Sequence, residues 1–235
     1  ALIGLIIHTT SFGRGFDFYS NDFQCSFSVV QNPLWKEGNT MNLAIKNRRS
    51  IRRYQEKAVS KAMIQEILQA GILAPSSKNR QPWKFVVVEG ESKKDMISAM
   101  QYGIERERNN PLLPGSKQHL KGAEYTMRIM EQAPVTILIV NPMGFDLHKK
   151  LSPEERIYEI CNAQSIGAAI QNMALTATEL GLGSLWICDI YFAYKELKSW
   201  LATEGELFAA FTVGYADETP WPRPRKKLEE ITQWR

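Results

Sequence analysis

Between Ser152 and Gly181 the chain carries the markers for both ends of one long helix. Ser152-Pro153-Glu154-Glu155 joins an N-cap serine to a proline at the first helical position and a glutamate at the third, the pattern that satisfies the free N–H groups of a first turn. Gly181 supplies the residue at which such a helix stops. The middle, Ser165-Ile166-Gly167-Ala168-Ala169-Ile170, is small and apolar around much of its circumference. A helix of that composition demands enclosure, by the chain's own sheet or by another subunit.

The elements expected around it follow from spacing. Ser60 caps a helix whose apolar residues Met63, Ile64, Ile67, Leu68 and Ile72 recur with helical period. Ala74 to Pro82 is a polar, proline-bounded loop, and Phe85 to Val88 reads as a short buried strand. Helices are expected at about 92 to 101 and about 118 to 131, with Asn109 to Gly115 as a surface excursion before a second buried strand, Val135 to Val140. A strand at Ser184 to Ile187, a helix at Tyr194 to Leu201 and a strand at Leu207 to Val213 complete the core, and a tail rich in proline and arginine leaves it at Tyr215. This mixed order with long connections predicts an α+β fold.

The first forty residues differ in kind. Ser11 to Ser28 mix glycine, serine, phenylalanine and asparagine without period, and the apolar start lacks the basic flank of a signal peptide. Two readings stand for residues 1–40: a translated leader ahead of a natural start at Met41, since codons for Lys36-Glu37-Gly38 can spell a ribosome-binding sequence, or an arm that wraps a partner. Residues 41–235 form the domain proper. No apolar run reaches the roughly 18 residues of a membrane helix, so no membrane partner is expected. Cys25, Cys161 and Cys188 are scattered, as are His8, His119 and His148, which predicts reduced thiols, a cytoplasmic protein and no metal site.

Charge narrows the function. Lys46, Arg48, Arg49, Arg52 and Arg53 form one basic segment, and Arg223, Arg225, Lys226 and Lys227 another, with no acid in either. Outside them 20 basic residues face 25 acidic ones. Two tight clusters on an acidic body suit a small anion; a nucleic-acid partner would call for a broad positive face. Arg48-Arg49-Ser50-Ile51-Arg52 offers guanidinium forks, a hydroxyl and backbone N–H groups to phosphate oxygens. The loop Pro75 to Gln81 sets hydroxyl, amide and backbone donors beside Trp83, which suits a flat heterocycle with polar edges. Gly181-Leu182-Gly183 follows a helix, with Trp186 at the third fingerprint position, so it reads as helix termination instead of a dinucleotide turn.

Taken in order, Arg48-Arg49-Ser50-Ile51-Arg52-Arg53-Tyr54, Ala74 to Trp83, Gly181-Leu182-Gly183-Ser184 and Val213-Gly214-Tyr215 followed by Arg223-Pro224-Arg225 strongly resemble the nitroreductase family. The resemblance runs from about residue 44 to about residue 230. It implies a mainly antiparallel sheet flanked by helices, an intertwined homodimer with two FMN sites at its interface, and hydride transfer from NADH or NADPH through flavin N5 to nitroaromatic, quinone or similar small acceptors by a ping-pong mechanism. Matching positions imply that Arg48, Arg49, Ser50 and Arg52 hold the FMN phosphate and ribityl chain, with Arg223 and Arg225 closing over them. Pro75, Ser76, Ser77, Asn79 and Gln81 would edge the isoalloxazine, Ser76 and Ser77 from across the interface. Cys188-Asp189 aligns near N5, where many members carry Glu-Gly or a similar pair. Cys188 by itself reads as a small buried residue at a strand end. No catalytic side chain is assigned, since the flavin carries the redox chemistry. Two alternatives remain: a same-fold flavin enzyme that fragments flavin or removes halogen, and a non-enzymatic anion-binding module.

Overall fold

The computed structural model describes residues 41–112 and 115–235, so the readings for residues 1–40 lie outside the described residues. Residues 41–235 make up one unit. In chain order its elements are α1 (Leu43–Asn47), α2 (Lys61–Ile72), β1 (Lys84–Val88), α3 (Ser92–Asn109), α4 (Leu120–Gln132), β2 (Val135–Asn141), α5 (Pro153–Glu179), β3 (Gly183–Ile187), α6 (Tyr194–Leu201), β4 (Glu206–Gly214) and α7 (Leu228–Ile231). Short 3-10 turns cover Ser77–Asn79, Ser116–His119 and Asp189–Ala193.

The ends of α5 form as their residues dictate. Ser152 Oγ accepts from the Glu155 N–H at 3.2 Å, and the Glu155 carboxylate accepts from the Ser152 N–H at 2.9 Å. Gly181 takes φ +74°, its N–H donates to Thr178 O at 3.1 Å, and the Leu182 N–H reaches back to Ala177 O at 2.8 Å. These two bonds satisfy carbonyls that the last turn leaves open. Ser60 likewise caps α2 by accepting from the Met63 N–H at 3.3 Å.

The four strands pair antiparallel in the order β1-β2-β4-β3. Alternation splits the core between two faces. Val135, Ile137 and Ile139 of β2 and Ala209, Phe211 and Val213 of β4 pack with Ile64 and Ile67 of α2 and Ile166, Ile170 and Met173 of α5. Leu138, Leu185, Ile187 and Ala210 face Met96 and Met100 of α3, Ile129 and Met130 of α4 and Leu197 of α6. Helices on both faces of an antiparallel sheet are the α+β arrangement expected. Ile139 pairs with Ala209 and Val140 with Leu207, which leaves Phe208 as a bulge residue. Its carbonyl receives the Tyr191 hydroxyl at 3.0 Å, and burial pushes the Tyr191 pKa up to about 12.

Two expectations need correction. β1 is an edge strand with β2 alone beside it, so Lys84 and Val87 are exposed and only Val88 is buried; it is not the buried strand expected. α3 runs to Asn109 because polar pairs carry its last turns: Arg108 pairs with Glu105 and Glu124, and Arg106 Nε lies 2.7 Å from Glu196 of α6. Gly103 lets α3 cross the turn before α6, since a Cβ there would lie 2.3 Å from Ala193. The surface excursion therefore begins only after Asn109. The chain's own elements cover one face of α5: Ile166, Ala169, Ile170, Met173 and Ala177 are buried, whereas Ile157, Tyr158 and Ile160 of its first turns are exposed and Gly167 and Ala168 half-buried. Among the described residues no helix is long and apolar enough to cross a membrane.

Candidate functional site

Residues 48–55 lie along the free edge of β3 and fix where the basic segment stands. Ser50 bridges to Ser184 in parallel, and the Ile51 N–H donates to Ser184 O at 2.9 Å. The approach is close, since a Cβ on Gly183 would come within 2.7 Å of the Ile51 side chain. Gly183 is thus required by packing, a role separate from the helix-stop role of Gly181. Tyr54 is buried, and its hydroxyl lies 3.0 Å from Ile51 O and 2.9 Å from Thr212 Oγ1. A carbonyl can only accept, so Tyr54 donates there and accepts from Thr212.

The chain's other end is fastened to the same segment. The Gln55 N–H donates to Tyr215 O and the Asp217 N–H to Arg53 O, both at 2.9 Å. The Glu218 carboxylate accepts from the backbone N–H groups of Arg52 and Arg53, the latter at 3.2 Å. From this clamp, Pro220 to Arg225 return over Arg48 to Ser50, and the two basic clusters meet.

They meet around a pocket of about 300 Å³, lined by Lys46, Arg48, Arg49, Ser50, Arg52, Arg223 and Arg225 together with Ile45, Pro220, Trp221 and Pro222. Backbone carbonyls aim several guanidiniums: Arg49 donates to Lys46 O at 2.8 Å and Arg48 O at 2.9 Å, Arg52 to Ser50 O at 3.3 Å, and Arg225 to Pro224 O at 3.2 Å. Each keeps further N–H donors, since a guanidinium carries five. Among the described residues no carboxylate pairs with Arg48, Arg49, Arg223 or Arg225. Burial, then the neighbouring charges of Arg225 and Arg49, pull the half-buried Arg48 below the ordinary guanidinium value. Positive charge held together without a counter-charge is unfavourable. An anion with several acceptor oxygens relieves it.

The loop Pro75 to Gln81 stands elsewhere. Lys78, Asn79 and Gln81 adopt φ of +52°, +52° and +51°, a left-handed conformation costly for residues other than glycine. Gln81 N–H donates to Ser76 Oγ at 3.0 Å, Gln81 Nε2 to Asn79 Oδ1 at 3.3 Å, and the Ser77 N–H to Ser165 Oγ of α5 at 3.2 Å. No residue of this loop lines the arginine pocket. One chain therefore brings together Arg48, Arg49, Ser50, Arg52, Arg223 and Arg225, and leaves Pro75, Ser76, Ser77, Asn79 and Gln81 apart.

The sequence model of the Nitroreductase family matches residues 45–215, from the helix before the arginine segment to the residue that starts the clamp. The chain belongs to the nitroreductase family. A protein from Desulfovibrio desulfuricans solved in complex with FMN is 30% identical and superposes with a TM-score of 0.60, covering 82% of this chain and 95% of that one. A Thermus thermophilus protein named NADH dehydrogenase is 26% identical over 212 residues, 80% of this chain and 92% of its own length. The FMN-dependent nitroreductase NfnB from Mycobacterium smegmatis, solved with NADPH, is 20% identical with a TM-score of 0.63 over 82% of this chain and 96% of that one, and at that identity shows the fold alone.

In this nitroreductase Cys188 departs from expectation. Cys188 is exposed, because β3 ends at Ile187 and the 3-10 turn that follows rotates the next residue outward; the buried strand-end reading is wrong. Partial burial and then the Asp189 charge push its thiol pKa up, so it stays protonated at neutral pH. Asp189 accepts the Thr126 hydroxyl at 2.5 Å, tying the turn to α4. Several lining or supporting residues of the nitroreductase pocket escaped the sequence reading. Trp221, flanked by Pro220 and Pro222, announces itself only as a rigid run ahead of Arg223. Glu218 and Ser165 carry no local signal, since their partners lie 165 or more and 88 residues away respectively.

Proposed function

We propose that the protein is an FMN-dependent oxidoreductase that transfers hydride from NADH or NADPH to a small acceptor such as a nitroaromatic or quinone. The observation that carries this is the convergence of Arg48 and Arg49 with Arg223 and Arg225 on one pocket without a carboxylate among them. The donor set fits the phosphate end of FMN: Arg48, Arg52, Arg223 and Arg225 present N–H groups, Ser50 adds a hydroxyl, and Arg49 keeps the donors its backbone bonds leave over. When bound, FMN supplies hydride acceptance and release at N5.

The remaining parts belong to the same reading. Pro75, Ser76, Ser77, Asn79 and Gln81 edge the isoalloxazine of a second copy's site, supported by a loop that holds left-handed geometry against α5 yet adds no lining to the arginine pocket of its own chain. The homodimer this requires buries the exposed Ile157, Tyr158 and Ile160 and the half-buried Gly167 and Ala168. Ala168→Glu should then yield aggregate or a monomer without flavin, because burying an unpaired carboxylate costs several kcal/mol. Light scattering of a stable, flavin-loaded monomer would refute the dimer.

Cys188 and Asp189 line the reacting edge without serving as proton donors, the thiol because burial and then the Asp189 charge raise its pKa and make it a reluctant acid, and Asp189 because its carboxylate already accepts the Thr126 hydroxyl. Turnover is ping-pong, the donor leaving before the acceptor enters, with protons drawn from water. Asp189→Asn should change hydride transfer less than tenfold, the size of one neutral hydrogen bond, measured as an anaerobic half-reaction. Abolition with flavin retained would assign Asp189 a catalytic role. The working location is the cytoplasm, in keeping with the free thiols of Cys161 and Cys188. The deciding experiment is visible absorbance of the purified protein followed by anaerobic bleaching with NADH or NADPH: a yellow protein that bleaches is expected, and a colourless one that takes up no added FMN would overturn the reading.

A further inference from the structure

Six cationic side chains, and no acidic one, line the arginine pocket. One phosphomonoester carries about two negative charges, so an FMN phosphate leaves most of that positive charge unanswered. Burial first, and then the charges of Arg225 and Arg49, lower the Arg48 pKa, so the surplus bears on that side chain as well. Among the described residues no carboxylate pairs with any of these six side chains.

A second pocket, of about 530 Å³, opens on the other side of the same wall. Arg49 and the segment Pro220-Trp221-Pro222 line both pockets. Asn47, Thr178, Thr219 and the Glu218 carboxylate give the second one polar side chains, and Gly181 to Gly183 add backbone beside Ile51. The Trp221 indole is 89% exposed, held between two prolines whose fixed φ limits its backbone. An aromatic plane presented in this way, beside a cavity of nucleoside size and an excess of cations, has the parts for an adenine nucleotide with an additional phosphate.

We infer that the hydride donor is NADPH in preference to NADH: its adenosine sits in the second pocket against Trp221, and its 2′-phosphate reaches over the shared wall to Arg49 and Lys46. Lys46, on the last turn of α1, is the cation to which no FMN contact has been given, and its side chain lines the first pocket. The 2′-phosphate is the sole difference between the two donors. Both donors carry the pyrophosphate, so cations placed at the 2′-phosphate, here Lys46 and Arg49, are what would tell them apart. This rests on the FMN reading, which supplies the first phosphate.

The test uses the full chain loaded with FMN, titrated by calorimetry with 2′,5′-ADP and with 5′-AMP while flavin absorbance is read on the same samples. The adenosine carrying the 2′-phosphate should bind at least about tenfold tighter, the size of one charge-assisted contact. Lys46→Ala should remove most of that advantage, and Trp221→Ala should weaken both fragments alike. Equal affinity of the two fragments overturns the inference, as does 2′,5′-ADP binding that releases FMN, which would mean a single phosphate site. Loss of flavin from Lys46→Ala would assign that lysine to FMN and overturn its role here. A wild-type protein that binds no flavin would instead overturn the reading beneath it.

Discussion

Replacing Arg48 and Arg225 together by alanine should give a folded, colourless protein. Each guanidinium makes charge-assisted contacts worth about 1.5–3 kcal/mol to a phosphate, or roughly 10–100-fold in affinity. The two losses should add incompletely, because the side chains repel each other in the free protein and removing one relieves the other. Arg48→Ala should be the more damaging single change: it is half-buried, whereas Arg225 is exposed. Folding should survive, since Arg48 has no carboxylate partner that its removal would orphan. Flavin content after gel filtration, with circular dichroism as the folding control, decides the matter. Full occupancy in the double variant would sink the phosphate assignment.

Gly183→Val should be as severe without touching a phosphate ligand. Its Cβ would fall 2.7–2.9 Å from three atoms of Ile51, including that residue's own Cβ, so rotation of the side chain cannot clear it. Residues 50–52 must then lift from β3, breaking the bond from Ile51 N–H to Ser184 O and carrying Arg48 and Arg52 out of register with Arg223 and Arg225. Overpacking of this kind costs about 1–3 kcal/mol in stability, and the pocket should lose FMN outright. Gly122 of α4 is the control, having nothing within 4 Å of its would-be Cβ. Gly122→Ala should raise helix stability by about 0.5–1 kcal/mol and keep the flavin. Denaturant unfolding and flavin content read both variants, and a yellow, stable Gly183→Val protein would show that the edge pairing does not position the site.

Local signals made the long helix legible. Ser152, Pro153, Glu155 and Gly181 act within a turn of themselves, and the structure uses each as its chemistry predicts. The two arginine clusters were equally visible as composition. What brings them together was not, because the Gln55–Tyr215 backbone pair and the Glu218 carboxylate on the Arg52 and Arg53 N–H groups join segments about 160 residues apart. The edge position of β1 belongs to the sheet's order, which the apolar run Phe85 to Val88 does not encode. The end of α3 was missed because ion pairs, and not an apolar stripe, sustain it. The loop itself was legible from its prolines and polar residues, but nothing in Lys78, Asn79 or Gln81 announces the left-handed geometry they adopt.

The clamp at Glu218 has a consequence for how the chain resists cutting. Beyond it the tail is exposed almost to its last residue and carries Arg225, Lys226 and Lys227, three consecutive trypsin sites, the Arg223–Pro224 bond being resistant. An anion gripped by Arg48 on one side and Arg223 and Arg225 on the other closes a hasp between the chain's two ends. At a concentration one hundred times its Kd such a ligand adds about 2.7 kcal/mol against opening. Digestion of the tail would then slow roughly a hundredfold wherever opening precedes cleavage, which makes the lifetime of the C-terminus a gauge of pocket occupancy.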